Sequence, residues 1–233
     1  MAPLRKTSLS MQLADELGKA IISGHYNSAH ALPTEAKLCE QYNISRTAVR
    51  EAVKMLAAKG IISSRPRQGI RIEDADNWNL YDPQVLTWML DSNPSLSILK
   101  EFLEMRLAIE PQAAALAAQR ADSESIAKIE HAWKNMAASV DCDSNFHRYD
   151  IDFHLELLNA SGNRFLRQLR DFTSTALNVS VRYTTPIKGD THMVVEAHKN
   201  LFLAVANGEV DKARALSVSM IEEAIALIEQ VNR

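Results

Sequence analysis

Cysteine is scarce in this 233-residue chain: only Cys39 and Cys142 occur. They share no metal-type spacing and fall in different predicted domains. That excludes a disulfide framework and predicts a reducing, cytoplasmic setting. No apolar run approaches the roughly 20 residues of a membrane-spanning helix, so no membrane role is expected. The opening residues, MAPLRKTSLSMQ, lack the apolar core of a signal peptide. Short-period repeats and low-complexity stretches are absent. No nucleophile motif, phosphate loop or clear general base stands out, which counts against an enzyme.

What is present is concentrated in residues 32 to 72, LPTEAKLCEQYNISRTAVREAVKMLAAKGIISSRPRQGIRI. Thr34 suits an N-cap, with Lys37, Leu38 and Cys39 inside a short helix that Asn43 ends. Ser45 caps a second helix running to about Lys59. Gly60 stops it, because glycine accepts the left-handed conformation at a helix C-terminus. Two short β-branched stretches follow, around Ile61-Ile62 and Ile70-Ile72. The turn between them, Arg65 to Gly69, is basic. The pattern is helix, turn, helix, then a hairpin wing.

The second helix has two faces. Val49, Val53 and Leu56 form a buried stripe, and Arg46, Arg50 and Lys54 form a basic one. Ser45 and Thr47 stand at its N-terminal end. Short hydroxyls and guanidinium groups at that end suit base edges and phosphates. An ordinary amphipathic helix with a solvated basic face is the alternative. The capped helix before it and the basic hairpin after it favour DNA binding.

Residues 8 to 75 resemble the winged helix-turn-helix of the GntR family of bacterial transcription regulators. The residues that carry the resemblance are Pro33, Glu35, Leu38, Ser45, Arg46, Arg50, Ala52, Leu56, Gly60 and the wing residue Gly69. It implies that Ser45, Arg46, Thr47 and Arg50 contact operator DNA, and that the wing tip around Gly69 meets the minor groove. Thr34, Lys37 and Arg67 complete the DNA-facing candidates.

Charge divides the chain. Residues 1–75 hold 11 Lys and Arg against 7 Asp and Glu, while residues 76–233 hold 15 against 22. A basic segment that meets phosphates, joined to an acidic one, predicts division of labour. The expected fold class is mainly α: a winged helix-turn-helix over 1–75, a linker and connecting helix over 76–95, and an all-α bundle over 96–233. The first helix spans about Ser8 to Ser23, with Met11, Leu13, Leu17, Ala20, Ile21 and Ile22 inward. Trp78 and Tyr81 are expected to anchor between domains, and Pro83 to open a helix through Leu90.

Helices are then expected over Ser95 to Ala121, bent or interrupted at Pro111, and over 123–138, 144–159 and 164–183. A loop follows around Pro186 to Asp190. A closing pair, 194–206 and 210–231, turns at Asn207-Gly208. Leu99, Phe102, Leu103, Leu107, Ala114 and Ala117 are the expected core of the long helix.

Asp150 and His154 stand four apart, so one helical face carries a carboxylate and an imidazole. Such a pair can hold a divalent ion, with His198 from another helix as a third ligand. His147 falls on the same face. A surface ion pair is the simpler reading of that spacing.

Residues 96 to 228 resemble the FCD effector-binding domain of FadR-like GntR regulators. Glu104 to Pro111, Asp150 to His154, Asn159 to Asn163 and Glu196 to His198 carry the likeness. It implies a metal at Asp150, His154 and His198, with zinc, nickel and manganese all acceptable. The family's usual further histidine is replaced by Met220, a soft and neutral ligand. His192 is a conceivable substitute in a loop. Arg106 stands where this domain family often holds an effector carboxylate; the alternative is a salt bridge with Glu110. A small carboxylic acid, preferably a sugar acid, is the effector implied at Arg106, Asp150, His154 and His198.

A homodimer is then expected to present two recognition helices to an inverted repeat. DNA and acid would weaken each other's binding, coupled through residues 73–82, and the acid would relieve repression. Two other readings stand beside this one: a metal-dependent hydrolase, and a regulator whose degenerate sensor only dimerises.

Overall fold

In a computed structural model the chain is described over residues 8–27, 30–65, 69–91, 96–140, 143–178 and 190–231. It divides into two compact units, Met1–Asn93 and Pro94–Arg233.

The first unit opens with α1 (Leu9–Ile22), capped by Ser8, whose hydroxyl accepts from the Met11 amide. Leu13, Ala14, Leu17 and Ile21 are buried along one stripe. Met11 falls off that stripe and is 47% exposed, contrary to expectation. Thr34 caps α2 (Glu35–Tyr42), and Asn43 ends it in the left-handed region at φ 50°. Ser45 then caps α3 (Arg46–Ala58), accepting from the Ala48 amide. Strands β1 (Ile62–Arg65) and β2 (Gly69–Ile72) pair antiparallel, with Ser63 opposite Arg71 and Arg65 opposite Gly69. The wing-tip candidate Arg67 lies outside the described residues.

Gly60 has φ 74°, and a Cβ there would stand 2.3 Å from the Asn77 carbonyl oxygen. Only glycine permits both the turn and this close approach. A short 3-10 turn, Ala75–Asn77, leads into α4 (Pro83–Asp91). Asp82 caps α4 through its Oδ1, which accepts from the amides of Gln84 and Val85. Its Oδ2 meets the Lys59 ammonium at 2.6 Å.

Val85 and Trp88 are buried in the same core as Leu17, Val49, Val53 and Leu56. Trp88 Nε1 donates to Asp15 on α1 at 2.7 Å. Residues 76–91 thus pack as part of the first unit rather than as a linker. Trp78 packs on that same core, with its Nε1 donating to the Glu73 carbonyl. Tyr81 is 61% exposed. Trp78, Val85 and Trp88 find apolar cover within the first unit.

The second unit is helical throughout its described residues: α5 (Leu96–Arg120), α6 (Ser123–Ala137), α7 (Asp143–Ala160), α8 (Arg164–Gln168), α9 (170–178), α10 (Thr191–Ala206) and α11 (Val210–Val231). α5 packs on α7, α10 and α11, while α6 packs on α7 and α10. Pro111 lies inside α5 without interrupting it. The strong helix formers Ala113, Ala114, Ala115 and Ala117 follow it, all buried, and their packing outweighs one lost backbone hydrogen bond. Leu107 is only half-buried.

The helix expected over 164–183 breaks at Leu169, after a short α8 capped by Asn163. α10 starts at Thr191, earlier than expected, on an Asp190 cap. Gly208, at φ 72°, makes the turn into α11. Cys142 and the segment around Pro186 lie outside the described residues. No helix among the described residues is long and apolar enough to cross a membrane.

Candidate functional site

The first unit exposes one basic face. Arg46, Thr47, Arg50 and Lys54 are exposed along α3, and Thr34, Lys37 and Ser45 are exposed at the adjoining helix starts. Thr34 and Ser45 spend an oxygen lone pair on capping, so each hydroxyl proton remains for a phosphate. Arg50 Nε reaches Glu35 Oε2 at 3.3 Å, tying the recognition helix to α2. Sequence reading passed over two wing residues. Side chains two apart on a strand share a face, so the register aligns Ser63 and Arg65 with Gly69 and Arg71. These four, with Ile72 and Glu73, line a hollow of about 270 Å³. The hairpin register was the signal that would have added Arg65 and Arg71.

The second unit buries a polar cluster drawn from three helices. α5 supplies Arg106 and Glu110, α7 supplies Asp150 and His154, and α10 supplies His198; each is at most 7% exposed. His198 Nδ1 lies 2.7 Å from the Val194 carbonyl, one turn back. A carbonyl only accepts, so Nδ1 donates and Nε2 of the neutral ring carries a lone pair. That Nε2 stands 3.0 Å from Asp150 Oδ1 and 3.4 Å from His154 Nε2. Burial pushes the His198 pKa down, against the pull of Asp150, so the neutral ring is favoured.

One ligand atom each from Asp150, His154 and His198 lies within 4.8 Å of the others. Acceptor atoms that face one another in a dry site repel unless a cation or proton joins them. The Phe153 ring seals one side, edge-on to His198 at 4.9 Å between centroids. These residues fit a divalent ion: two imidazoles, one carboxylate, and backbone and side-chain acceptors behind the rings.

Arg106 is matched already. Its Nε and Nη2 donate to the two oxygens of Glu110, at 2.5 and 3.0 Å. Nη2 also lies 3.4 Å from His154 Nδ1 and 3.3 Å from its Nε2, and can donate to whichever nitrogen carries the lone pair. Glu110 was foreseen only as an ion-pair partner for Arg106. Its Oε2 also stands 3.0 Å from His154 Nδ1. Burial alone would raise the Glu110 pKa, but Arg106 and His154 outweigh it and hold it at about 2.

Met220 is half-buried against the core that holds Phe153, Leu157 and Phe202. With His198 and residues of α10 and α11 it lines a groove of about 600 Å³. His192 sits exposed in the first turn of α10, a helix start rather than a loop, and is not among the converging ligands. His147 keeps a buried Nε2 without a hydrogen-bond partner among the described residues, and it too stands outside the trio.

Comparison with known proteins matches both units. A model of the bacterial regulatory proteins of the gntR family matches residues 9–72, and one of the FCD domain matches residues 101–223. The chain belongs to the GntR family, in its FCD-bearing branch. This GntR regulator is 36% identical over 211 residues to the HTH-type transcriptional regulator YieP of Escherichia coli K12, covering 88% of this chain and 89% of that one. It is 31% identical over 217 residues to the galactonate operon transcriptional repressor of the same organism, covering 92% and 94%.

Among solved structures, a GntR regulator from Rhodococcus sp. RHA1 aligns with a TM-score of 0.53 at 18% identity, covering 97% of this chain and all of that one. The Listeria monocytogenes protein Lar aligns at 0.57 and 18%, covering 97% and 99%. These likenesses show the fold. Family membership makes the protein a DNA-binding transcriptional regulator, and the hydrolase reading falls away.

Proposed function

We propose that this regulator represses an operon for the breakdown of a sugar acid or related carboxylate, and leaves its operator when that acid binds the second unit. The observation that carries the reading is the convergence of Asp150, His154 and His198 lone pairs at one buried point. A divalent ion held there would supply a Lewis-acidic anchor for a carboxylate with an adjacent hydroxyl. Arg106, through the guanidinium edge not turned to Glu110, would take the acid's other oxygens. Zinc, nickel and manganese all suit this donor set. The likeness to a galactonate operon repressor supports a sugar acid as effector. A likeness to the putative L-lactate dehydrogenase operon regulatory protein of Escherichia coli, at 29% identity over 215 residues, supports the wider class of hydroxy acids.

On the DNA side, Arg46, Thr47 and Arg50 would read base edges. Thr34, Lys37, Ser45 and the wing around Arg67 and Gly69 would hold phosphates and the minor groove. A cytoplasmic homodimer would set two such faces on an inverted repeat. Acid and DNA then act as reciprocal effectors.

Thermal melting of the purified protein against aldonates, hexuronates, dicarboxylates and hydroxy acids tests the sensor. Each would be run with added zinc or manganese and again after chelation. A ligand that binds only the native state raises the melting temperature. A shift that disappears in His154→Ala and Arg106→Ala supports an acid sensor. No shift from any acid or ion would leave a DNA-binding dimer without a sensor.

A further inference from the structure

The structure assigns Glu110 a role as the positioning residue of His154, held in place by Arg106. This rests on the metal reading above. A neutral imidazole has one N–H and one lone pair, and its partners decide which nitrogen carries which. His154 Nδ1 faces Glu110 Oε2 at 3.0 Å. A carboxylate that accepts from Nδ1 leaves the lone pair on Nε2. That Nε2 stands 3.4 Å from His198 Nε2 and 3.3 Å from Arg106 Nη2, so a bound ion would displace the guanidinium from that lone pair.

His198 reaches the same state by another route, through the Val194 carbonyl of its own helix. The two supports differ in kind. Val194 is fixed by α10 itself, whereas Glu110 comes from α5 and is fixed by two bonds from Arg106. Glu110 also places a negative charge behind one imidazole, which offsets part of a dication's charge. The Nε and Nη2 edge of Arg106 is committed to this task. An acid that meets Arg106 therefore has only its remaining edge, and the same guanidinium serves effector and metal ligand.

Two measurements on the full-length protein test this. Nitrogen-15 spectra of the metal-free protein report which ring nitrogen of each histidine carries the proton. Calorimetric titration with zinc and with manganese reports affinity. Glu110→Gln keeps the volume and an accepting oxygen but removes the charge. The double variant Arg106→Met/Glu110→Leu replaces the pair by apolar groups, with circular dichroism as the check on folding.

Wild-type His154 is expected as the Nδ1–H tautomer. Glu110→Gln should keep that tautomer and weaken metal binding by roughly 10–100-fold. The double variant should lose the tautomer preference and bind metal more weakly still. A wild-type His154 protonated on Nε2 overturns the proposal. So does either variant, folded, binding metal as tightly as wild type. If the double variant does not fold, Glu110→Gln decides alone. If wild type shows the Nδ1–H tautomer and binds neither ion, the metal reading fails while Glu110 keeps its hold on the ring.

Discussion

Gly18 on α1 meets the face of Trp88 on α4: a Cβ on Gly18 would stand 2.3 Å from the indole ring. A glycine inside a helix costs about 1 kcal/mol relative to alanine. Here that cost admits the largest fully buried side chain of the first unit, and Trp88 in turn fixes α4 against the DNA-binding core.

Gly18→Ala should therefore destabilise the first unit despite its better helix propensity. Overpacking of this kind costs about 1–3 kcal/mol. Chemical denaturation followed by tryptophan fluorescence measures it. An alanine variant as stable as wild type would mean that α4 docks loosely.

Asp15 gives the same contact a pH dependence. Burial would raise its pKa, but hydrogen bonds from Lys19, Trp88 and Gln84 outweigh this and lower it. A carboxyl whose folded pKa is depressed adds stability above its ordinary unfolded value near 4. That contribution is lost as pH falls through the folded value. Wild type should lose stability in acid more steeply than Asp15→Asn when denaturation is compared across this range. Parallel curves would remove Asp15 from the account.

Arg71 faces the same side of the wing as Arg65 and Gly69. Arg71→Ala should weaken binding to specific and random duplexes alike, and lower the salt slope of log K by about one. Arg46→Ala with Arg50→Ala should abolish sequence preference. Fluorescence anisotropy over a salt series separates the two effects. A wing variant that alters sequence preference instead would place Arg71 on a base.

The helix-turn-helix was legible because its signals are local. Thr34 and Ser45 cap where their hydroxyls suit, and Asn43 and Gly60 sit where the chain turns left-handed. Asp150 and His154 were likewise placed on one face by helical period alone. The break at Leu169 and the continuity through Pro111 were not legible, because packing decides whether a marginal helix persists.

The sequence by itself determined the element types and the DNA-binding framework, since capping, period and turn chemistry act over a few neighbours. With the family resemblance it named four of the buried polar residues, Arg106, Asp150, His154 and His198. Only the tertiary structure decided that Glu110 stands behind His154 across two helices, and that α4 belongs to the first unit through Trp88. Both depend on which faces meet when apolar stripes are buried. That is a property of many distant residues at once, and no local window contains it.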